Sequence, residues 1–321
     1  MWAYILRRLG EGIITLIVLS FVVFGSVFLT GDVLTFLIPI SEAHDEKVYE
    51  AQKKAMGLDK PFIVQYGKFL GRAVRLDFGN SFVIKRPVTE LLLDRLPATV
   101  HLAVAGLFLA VVFGIPLGIL SAVKRDSIFD KIFKVVAIFG MAAPQFWVAI
   151  MAIFLLGGQL KLLPTFGRGD VEGWFPTVAQ IPNMLHHLAL PASVLAIAVM
   201  AAIMRLARSA MLDVLDTDYV KFAQVKGLHE RVVIWKHAAR NALIPVMTFG
   251  GITLAGLLNG SVVVEVVFAW PGIGLELLRA VQARDFPMAE GAILISGAAY
   301  IFTAMVIDIL YGYADPRVRI N

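Results

Sequence analysis

The chain has 321 residues, of which 59% are hydrophobic and 17% are charged, and its mean hydropathy is +0.79. A soluble domain is about half apolar and about a quarter charged, so this composition indicates a membrane protein. The formal net charge of +5 is typical of a membrane protein with Lys and Arg in its cytoplasmic loops, and we expect no nucleic-acid partner. The chain has no cysteine, which excludes disulfides, a thiol nucleophile and a cysteine metal site.

Six apolar segments are long enough to cross a bilayer, because a spanning helix needs roughly 20 apolar residues. In chain order the predicted spans are Leu9–Thr30, Ala98–Val123, Ile132–Leu156, Leu188–Met204, Leu243–Val264 and Met288–Tyr313. The middles of these segments carry no ionisable side chain, and Glu265, Glu290 and Asp308 fall near predicted ends. Ion-coupled carriers usually hold such a group inside the membrane, so its absence argues against that class.

Glycine and proline mark particular spans. The fifth span, FGGITLAGLLNGS, contains Gly250, Gly251, Gly256 and Gly260. Small residues let helices pack closely in lipid, and the alternative is that this helix lines a pathway. Kinks are expected at Pro116, Pro144 and Pro191.

The basic residues predict the orientation. They concentrate before the first span, in the second–third and fourth–fifth connections, and in the C-terminal tail: Arg7, Arg8, Lys124, Arg125, Lys131, Lys134, Arg205, Arg208, Lys221, Lys226, Arg231, Lys236, Arg240, Arg317 and Arg319. In a chain that crosses the membrane six times, these four regions all lie on the same side. The positive-inside rule predicts that this side is cytoplasmic and that both termini lie there.

The connection after the first span has mixed charge and lies on the extracytoplasmic side in this topology. A helical pattern runs over Lys47–Met56, and a second pattern places one apolar face on Tyr66, Phe69, Leu70, Ala73 and Val74. We expect short helices that lie on the membrane or close the outer mouth. They either receive another protein or simply cap the bundle.

The basic stretch YVKFAQVKGLHERVVIWKHAARNALIP, Tyr219–Pro245, separates two apolar runs. Three candidate N-caps precede a short helix over Tyr219–Lys226: Asp216, Thr217 and Asp218. Gly227 suits a C′ position with positive φ, and a second helix is expected from near His229. This pair of helices either rests on lipid headgroups or docks on a partner protein. A fixed glycine corner favours docking, because a lipid-facing helix needs no such corner.

Signatures of enzymes are absent. HERVV at His229 resembles the start of a zinc protease helix, but Val233 occupies the position where the second histidine would stand. There is no G-x-S-x-G elbow, and no P-loop, since Gly67 and Lys68 are followed by Phe69. We therefore expect no enzyme activity by a recognisable route and no ATP binding through a P-loop.

Several stretches together resemble a known family. DYVKFAQVKGLHERVVIWKHAARNALIPVMT is similar to the cytoplasmic loop signature of ABC importer permeases, with Ala223 and Gly227 at the Ala and Gly positions. Phe222 stands where the family commonly has a further Ala. GLDKPFIVQYGKFLGRAVRLDFGNSF, RLPATVHLA, GIPLGILSA, FAWPGIG and ADPRVRIN resemble the first, B-type permease subunit of dipeptide, oligopeptide and nickel importers. The resemblance covers nearly the whole chain.

The resemblance implies an all-α, type I ABC importer permease in the bacterial inner membrane. Its partners would be membrane lipid, a second homologous permease, one or two cytoplasmic ABC ATPase subunits and an extracytoplasmic binding protein. This chain would bind no cofactor, since ATP and Mg would sit on the ATPases. Contact with the ATPase would be made by Asp218, Tyr219, Phe222, Ala223, Lys226, Gly227, His229 and Glu230, with His237, Asn241 and Pro245 shaping the loop.

The implied organisation has three parts: a first transmembrane helix (1–30), an extracytoplasmic loop with short helices (31–97) and a five-helix core (98–321) that includes a cytoplasmic coupling loop (213–242). The expected cargo is a di- or oligopeptide. The alternative function is a self-sufficient secondary transporter or channel.

Overall fold

The computed structural model describes residues 2–29, 50, 54, 59–171 and 173–314. These residues form helices joined by turns and loops. In chain order the helices are α1 (Trp2–Leu29), α2 (Phe62–Ala73), α3 (Val88–Val123), α4 (Ile128–Ala142), α5 (Gln145–Ala152, continued by the π-helix Ile153–Gln159), α6 (Ile181–Leu215), α7 (Asp218–Val225), α8 (Glu230–Val232, continued by the π-helix Val233–Ala238), α9 (Ala239–Gly260), α10 (Val262–Val267), α11 (Ile273–Gln282) and α12 (Phe286–Ala314). The helical pattern over Lys47–Met56 falls outside the described residues apart from Glu50 and Lys54, and so do Arg317 and Arg319.

The described helices confirm the all-α membrane fold. Five helical segments are long and apolar enough to cross a membrane: Tyr4–Leu29, Val88–Val123, Ile181–Leu215, Glu230–Asn259 and Phe286–Ile309. A sixth crossing is obtained when the bent pair Ile128–Ala142 and Gln145–Gln159 is taken as one span. The order of these segments along the chain is that of the six predicted spans.

The third predicted span is broken and not straight. The axes of its two halves differ by 104° where α4 meets α5. Ala143 adopts an extended backbone with φ −68° and ψ 129°, because the ring of the following Pro144 disfavours the helical conformation. A kink at Pro144 is thus confirmed. Pro116 and Pro191, by contrast, lie within the continuous helices α3 and α6.

The long helices α3 and α6 pack against each other along the centre of the bundle. Two glycines of α3 lie close to the backbone of α6. A Cβ atom on Gly114 would lie 2.9 Å from the carbonyl oxygen of Met200, and one on Gly118 would lie 2.5 Å from that of Met204. Small residues at these positions therefore permit the contact.

The glycines of the fifth span behave differently. Within the described chain, Cβ atoms added to Gly250 and Gly256 would meet no atom within 4 Å. Close packing inside this chain therefore does not explain these two glycines, and the alternative that α9 faces a pathway or a partner stays a prediction.

The two ends of the bundle are held by separate apolar clusters. At one end, which we call the basic end, one face of α7 packs against α3, α6 and the start of α9. The shared cluster consists of Ile119, Ala122, Met211, Val220, Ala223, Val233, Ala238, Ala239 and Ala242. At the opposite end, α2, α11 and the first turns of α3 and α12 share Phe69, Phe78, Val88, Leu91, Leu92, Ile273, Ala280, Met288 and Ala292.

Helix α2 packs on α1 through the face that the sequence predicts. The hydroxyl groups of Tyr66 and Ser20 lie 3.0 Å apart, and the rings of Phe69 and Phe24 stack with centroids 5.1 Å apart. Val74, the last residue of the predicted face, follows α2 and is exposed.

A buried carboxylate joins three segments of the opposite end. Oε1 of Glu265 accepts hydrogen bonds from the hydroxyls of Thr99 and Ser261, both 2.8 Å, and Oε2 accepts one from the backbone N–H of Leu275, 3.0 Å. Burial raises the pKa of Glu265 above its usual value. A Cβ atom on Gly272 would lie 2.4 Å from the carboxylate carbon, so the FAWPGIG turn needs glycine there.

Candidate docking site

Helix α7 ends in a closed corner at the basic end. The N–H of Gly227 donates to the carbonyl of Gln224 (2.9 Å), and the N–H of Leu228 donates to that of Ala223 (3.4 Å). This pair of bonds is the Schellman pattern of helix ends. Gly227 has φ +75°, as the sequence predicts for a C′ glycine. The chain therefore reverses through a conformation that only glycine adopts without strain.

The two helices of this hairpin (residues 218–238) begin differently. Thr217 occupies the N-cap position of α7, yet its hydroxyl donates to the carbonyl of Val214 at 2.5 Å and does not cap the helix. His229 caps α8, because its Nδ1 accepts a hydrogen bond of 3.2 Å from the N–H of Arg231. His229 thus helps to fix where the second helix starts.

One face of α7 points into the bundle. Val220 is fully buried, and Ala223 is 7% exposed. Both belong to the apolar cluster of the basic end, together with Ile119 and Met211. Ala223, which the family resemblance places at the ATPase contact, therefore packs on its own chain in this structure.

The other face of α7 and the corner expose an apolar surface, which we call the hairpin patch: Tyr219, Phe222, Val225 and Leu228. Val225 is 85% exposed and Phe222 is 60% exposed. The ammonium group of Lys226 lies over the ring of Phe222, 4.6 Å from its centroid. A contiguous exposed apolar surface of this kind is typical of an interaction site.

Charges of both signs surround the hairpin patch. Its exposed neighbours are Asp218, Lys221, Lys226, Glu230 and Arg231. An apolar centre with a mixed polar rim is the usual composition of a protein interface. Three residues of the predicted ATPase contact, Asp218, Lys226 and Glu230, are among these exposed neighbours.

The downstream predicted residues lie in helices and not in a loop. His237 is half-buried in the π-helix after α8, whereas Asn241 and Pro245 are exposed on α9. The side-chain amide of Asn241 donates to the hydroxyl of Tyr219 over 2.7 Å. This bond ties α7 to the first turn of α9, which continues into the membrane.

The π-helix changes which residues of the second helix face the bundle. A regular helical period places Val232, Trp235, Ala239 and Ala242 on one face, but Val232 and Trp235 are exposed whereas Ala239 and Ala242 are buried. Val233 and Ala238 are buried instead. The widened turn of a π-helix shifts the register, so an α-helical period cannot place these side chains.

An ion cluster around the buried carboxylate of Asp130, not anticipated from the sequence, joins the helices next to the hairpin. Arg208 of α6 donates to both oxygens of Asp130 on α4, from Nε at 2.8 Å and from Nη2 at 3.0 Å. The hydroxyl of Ser121 on α3 donates to the same carboxylate at 2.5 Å, and Lys134 Nζ lies 2.8 Å from it. In the sequence, Lys134 and Arg208 indicated only the orientation of the chain, because Arg208 and Asp130 lie 78 positions apart.

A cleft of about 300 Å³ separates the corner from the bundle and is lined by Val123, Leu215, Gln224, Leu228, Glu230, Val233 and Ile234. Within the described ranges, no group of three His, Asp or Glu side chains is placed to hold a metal ion. The site therefore offers an apolar docking surface and a small groove.

Comparison with known proteins identifies the family. A model described as "Binding-protein-dependent transport system inner membrane component" matches residues 114–320, and its N-terminal companion model matches residues 1–103. The chain belongs to this family. It is a multi-pass inner-membrane permease component of an ABC importer.

Two relatives align with this permease over nearly its whole length. It is 40% identical over 325 residues to the oligopeptide transport system permease protein AppB of Bacillus subtilis, which covers 99% of this chain and 100% of the relative. It is 33% identical over 336 residues to the dipeptide transport system permease protein DppB of Alkalihalophilus pseudofirmus, again over 99% and 100%. The resemblance to a B-type peptide permease is thus confirmed.

Proposed function

We propose that this permease forms half of a translocation path for di- and oligopeptides, and that its hairpin patch docks on a cytoplasmic ABC ATPase. A second homologous permease completes the path, one or two ATPase subunits bind beneath it, and an extracytoplasmic binding protein delivers the peptide. The names of the relatives support the peptide cargo. The exposed apolar patch on a fixed corner supports the docking and carries this proposal.

A protein partner fits the hairpin patch better than a lipid surface does. Helices that rest on membranes carry mainly Lys and Arg on their polar face. Here Asp218 and Glu230 are exposed beside the patch, and anionic headgroups would repel both. A partner surface with its own charges can pair with each sign.

The structure of the hairpin suits the transmission of movement. The chain has no P-loop, so ATP and Mg bind to the partner ATPases and this subunit catalyses no hydrolysis. Closure of the ATPases must then reach the membrane through side-chain contacts and packed helices. The Asn241–Tyr219 bond and the packing of Ala223 connect the hairpin directly to α9 and to the α3–α6 pair.

The basic end is cytoplasmic in this proposal, with both termini on the same side. Cysteine labelling tests this, because the chain has no native thiol. A membrane-impermeant maleimide should label Val225→Cys in inside-out vesicles and not in intact spheroplasts. Val83→Cys, which is exposed at the opposite end, is the matched control and should show the reverse.

Docking is tested with the same variant. Co-expressed ATPase subunits should slow the labelling of Val225→Cys in inside-out vesicles and leave Ile128→Cys, which is exposed at the start of α4 and outside the hairpin patch, unchanged. Equal labelling with and without the ATPases would favour a helix that rests on lipid. Peptide uptake by the chain reconstituted alone, without ATPase, would favour the alternative of a secondary transporter or channel.

A further inference from the structure

A cavity of about 570 Å³ opens at the end of the bundle opposite the hairpin. It is lined by Arg86, Leu91, Asp94, Arg95, Arg168, Val171, Gly173 and Pro271. Its volume lies in the range of about 300–1,000 Å³ that small-molecule sites occupy. We call it the Arg168 cavity.

Arg168 is a buried cation without an acidic partner in the described chain. It is 4% exposed. Its Nη2 donates to the carbonyl of Gly173 (2.9 Å) and lies 2.6 Å from Nδ1 of His101, and both partners are neutral acceptors. Its Nε is buried and has no acceptor in the described structure. Burial lowers the pKa of Arg168, yet a guanidinium stays protonated in proteins.

The two other arginines of the cavity differ from Arg168 in this respect. Arg86 lies 3.7 Å from Glu90, and Arg95 lies 3.5 Å from Glu276. A buried charge is strongly unfavourable unless an opposite charge compensates it. Of these three arginines, Arg168 is the one that an incoming anion would compensate.

The loop around Arg168 is held in place before any ligand arrives. Gly167 N–H donates to the carbonyl of Phe268 at 3.0 Å. On the other side, Asn183 Nδ2 donates to the carboxylate of Asp170 at 3.0 Å, and Gln180 Nε2 donates to the carbonyl of Asp170 at 2.7 Å. A fixed donor loses little conformational freedom when it binds an anion.

The cavity also offers a carboxylate. Asp94 is exposed on its wall, and no ion pair to it occurs among the described residues. A free peptide carries a carboxylate at one end and an ammonium at the other. A cavity with an uncompensated guanidinium and an available carboxylate matches both charges.

We propose that the Arg168 cavity binds the free C-terminal carboxylate of a peptide through the Arg168 guanidinium, with Asp94 facing the peptide ammonium. This inference rests on the proposed peptide cargo. It assigns the recognition of the peptide termini to this chain itself, at the mouth where a peptide would enter.

The test measures binding to the full chain in lipid nanodiscs, without a binding protein. The probes are alanyl-alanine and alanyl-alanine amide, followed by saturation-transfer NMR titration. Loss of one partner of a buried charge pair is strongly unfavourable, so we expect the acid to bind at least about tenfold more tightly than the amide. In Arg168→Gln this ratio should fall to about one.

Two variants separate recognition from a structural role. Arg168→Lys keeps the charge and should keep a preference for the acid, whereas a merely structural arginine would be disturbed equally by Lys and Gln. Arg75→Gln removes an exposed charge outside the cavity and should leave the ratio unchanged. An unchanged acid preference in Arg168→Gln, or equal binding of both probes to the wild type, overturns the inference.

ATP-dependent uptake of alanyl-alanine by the complete transporter in vesicles is measured in parallel. If the wild type imports the peptide with ATP, and Arg168→Gln imports it equally well, the proposed peptide importer stands and the proposed carboxylate site fails. If the wild type imports no peptide while the chain binds the acid through Arg168, the cargo proposal fails instead.

Discussion

Replacement of Gly227 by valine tests whether the corner of the hairpin is a mechanical requirement. A Cβ atom at this position would meet no other atom within 4 Å, so steric contact with neighbours is not the obstacle. The obstacle is the backbone, since φ is +75°. A left-handed residue with a Cβ costs about 1–2 kcal/mol, and a β-branched one tolerates this region least.

The magnitude follows from that cost. A local destabilisation of about 1–2 kcal/mol raises the population of the open corner by about 5- to 30-fold. The N–H of Leu228, which bonds to Ala223, should then exchange with deuterium about 5- to 30-fold faster. Hydrogen-exchange mass spectrometry on the chain in nanodiscs measures this for peptides covering the hairpin.

The loss of the corner should reduce transport without reducing insertion into the membrane. Gly227→Val should reach the membrane in normal amount and lose most ATP-coupled import. Gly227→Asn is the matched control, because asparagine adopts the left-handed region far more readily and should retain import and slow exchange. Wild-type exchange and wild-type transport in the valine variant would refute the reasoning.

Three further predictions follow from burial and hydrogen bonding. Val225→Glu should weaken ATPase co-purification without changing hydrogen exchange in the hairpin, because Val225 is almost fully exposed. Ala223→Glu should weaken co-purification and also speed hydrogen exchange in the hairpin, because it places a carboxylate in the bundle. Asp130→Asn should destabilise the purified chain by about 1–3 kcal/mol in thermal or denaturant unfolding, since it removes the charge with which the partly exposed Arg208 and Lys134 pair. Glu265→Gln should cost about 1–3 kcal/mol in the same assay, because the amide keeps only one acceptor oxygen for the three hydrogen bonds that the carboxylate accepts.

Each of these has an outcome that contradicts it. Normal co-purification of the ATPase with Val225→Glu would show that the ATPase does not dock on the hairpin patch. An unchanged unfolding transition in Asp130→Asn would mean that the ion cluster does not hold the helices together. An unchanged transition in Glu265→Gln would show that the FAWPGIG turn does not depend on the carboxylate.

The sequence predicted the spans well because apolar runs must match the thickness of the bilayer. It predicted the ends of the helices less well. Helix α3 begins at Val88, well before the predicted span start at Ala98, and α6 runs to Leu215, well past Met204. Hydropathy marks where a helix leaves the hydrocarbon, whereas the helix itself continues as long as its backbone bonds are made.

At the candidate site too, the sequence predicted local features and missed those that depend on contacts between distant residues. The corner at Gly227 was predictable because a local rule decides it. The inward direction of Ala223 was not, because it depends on contact with Ile119 and Met211. The Arg168 cavity and the Glu265 network join residues that are distant in sequence, and no local pattern reports such pairs.

Helix α6 carries a consequence for how the two ends communicate. Near its start, Asn183 holds the loop that bears Arg168, and its end leads through Thr217 into α7. A tilt of this single rod displaces both ends at once. If occupancy of one end changes the binding affinity at the other, thermodynamic reciprocity requires the reverse effect to have the same factor. An ATPase bound to the hairpin would then change the affinity of the opposite end for a peptide. A peptide bound there would change the affinity of the hairpin for the ATPase.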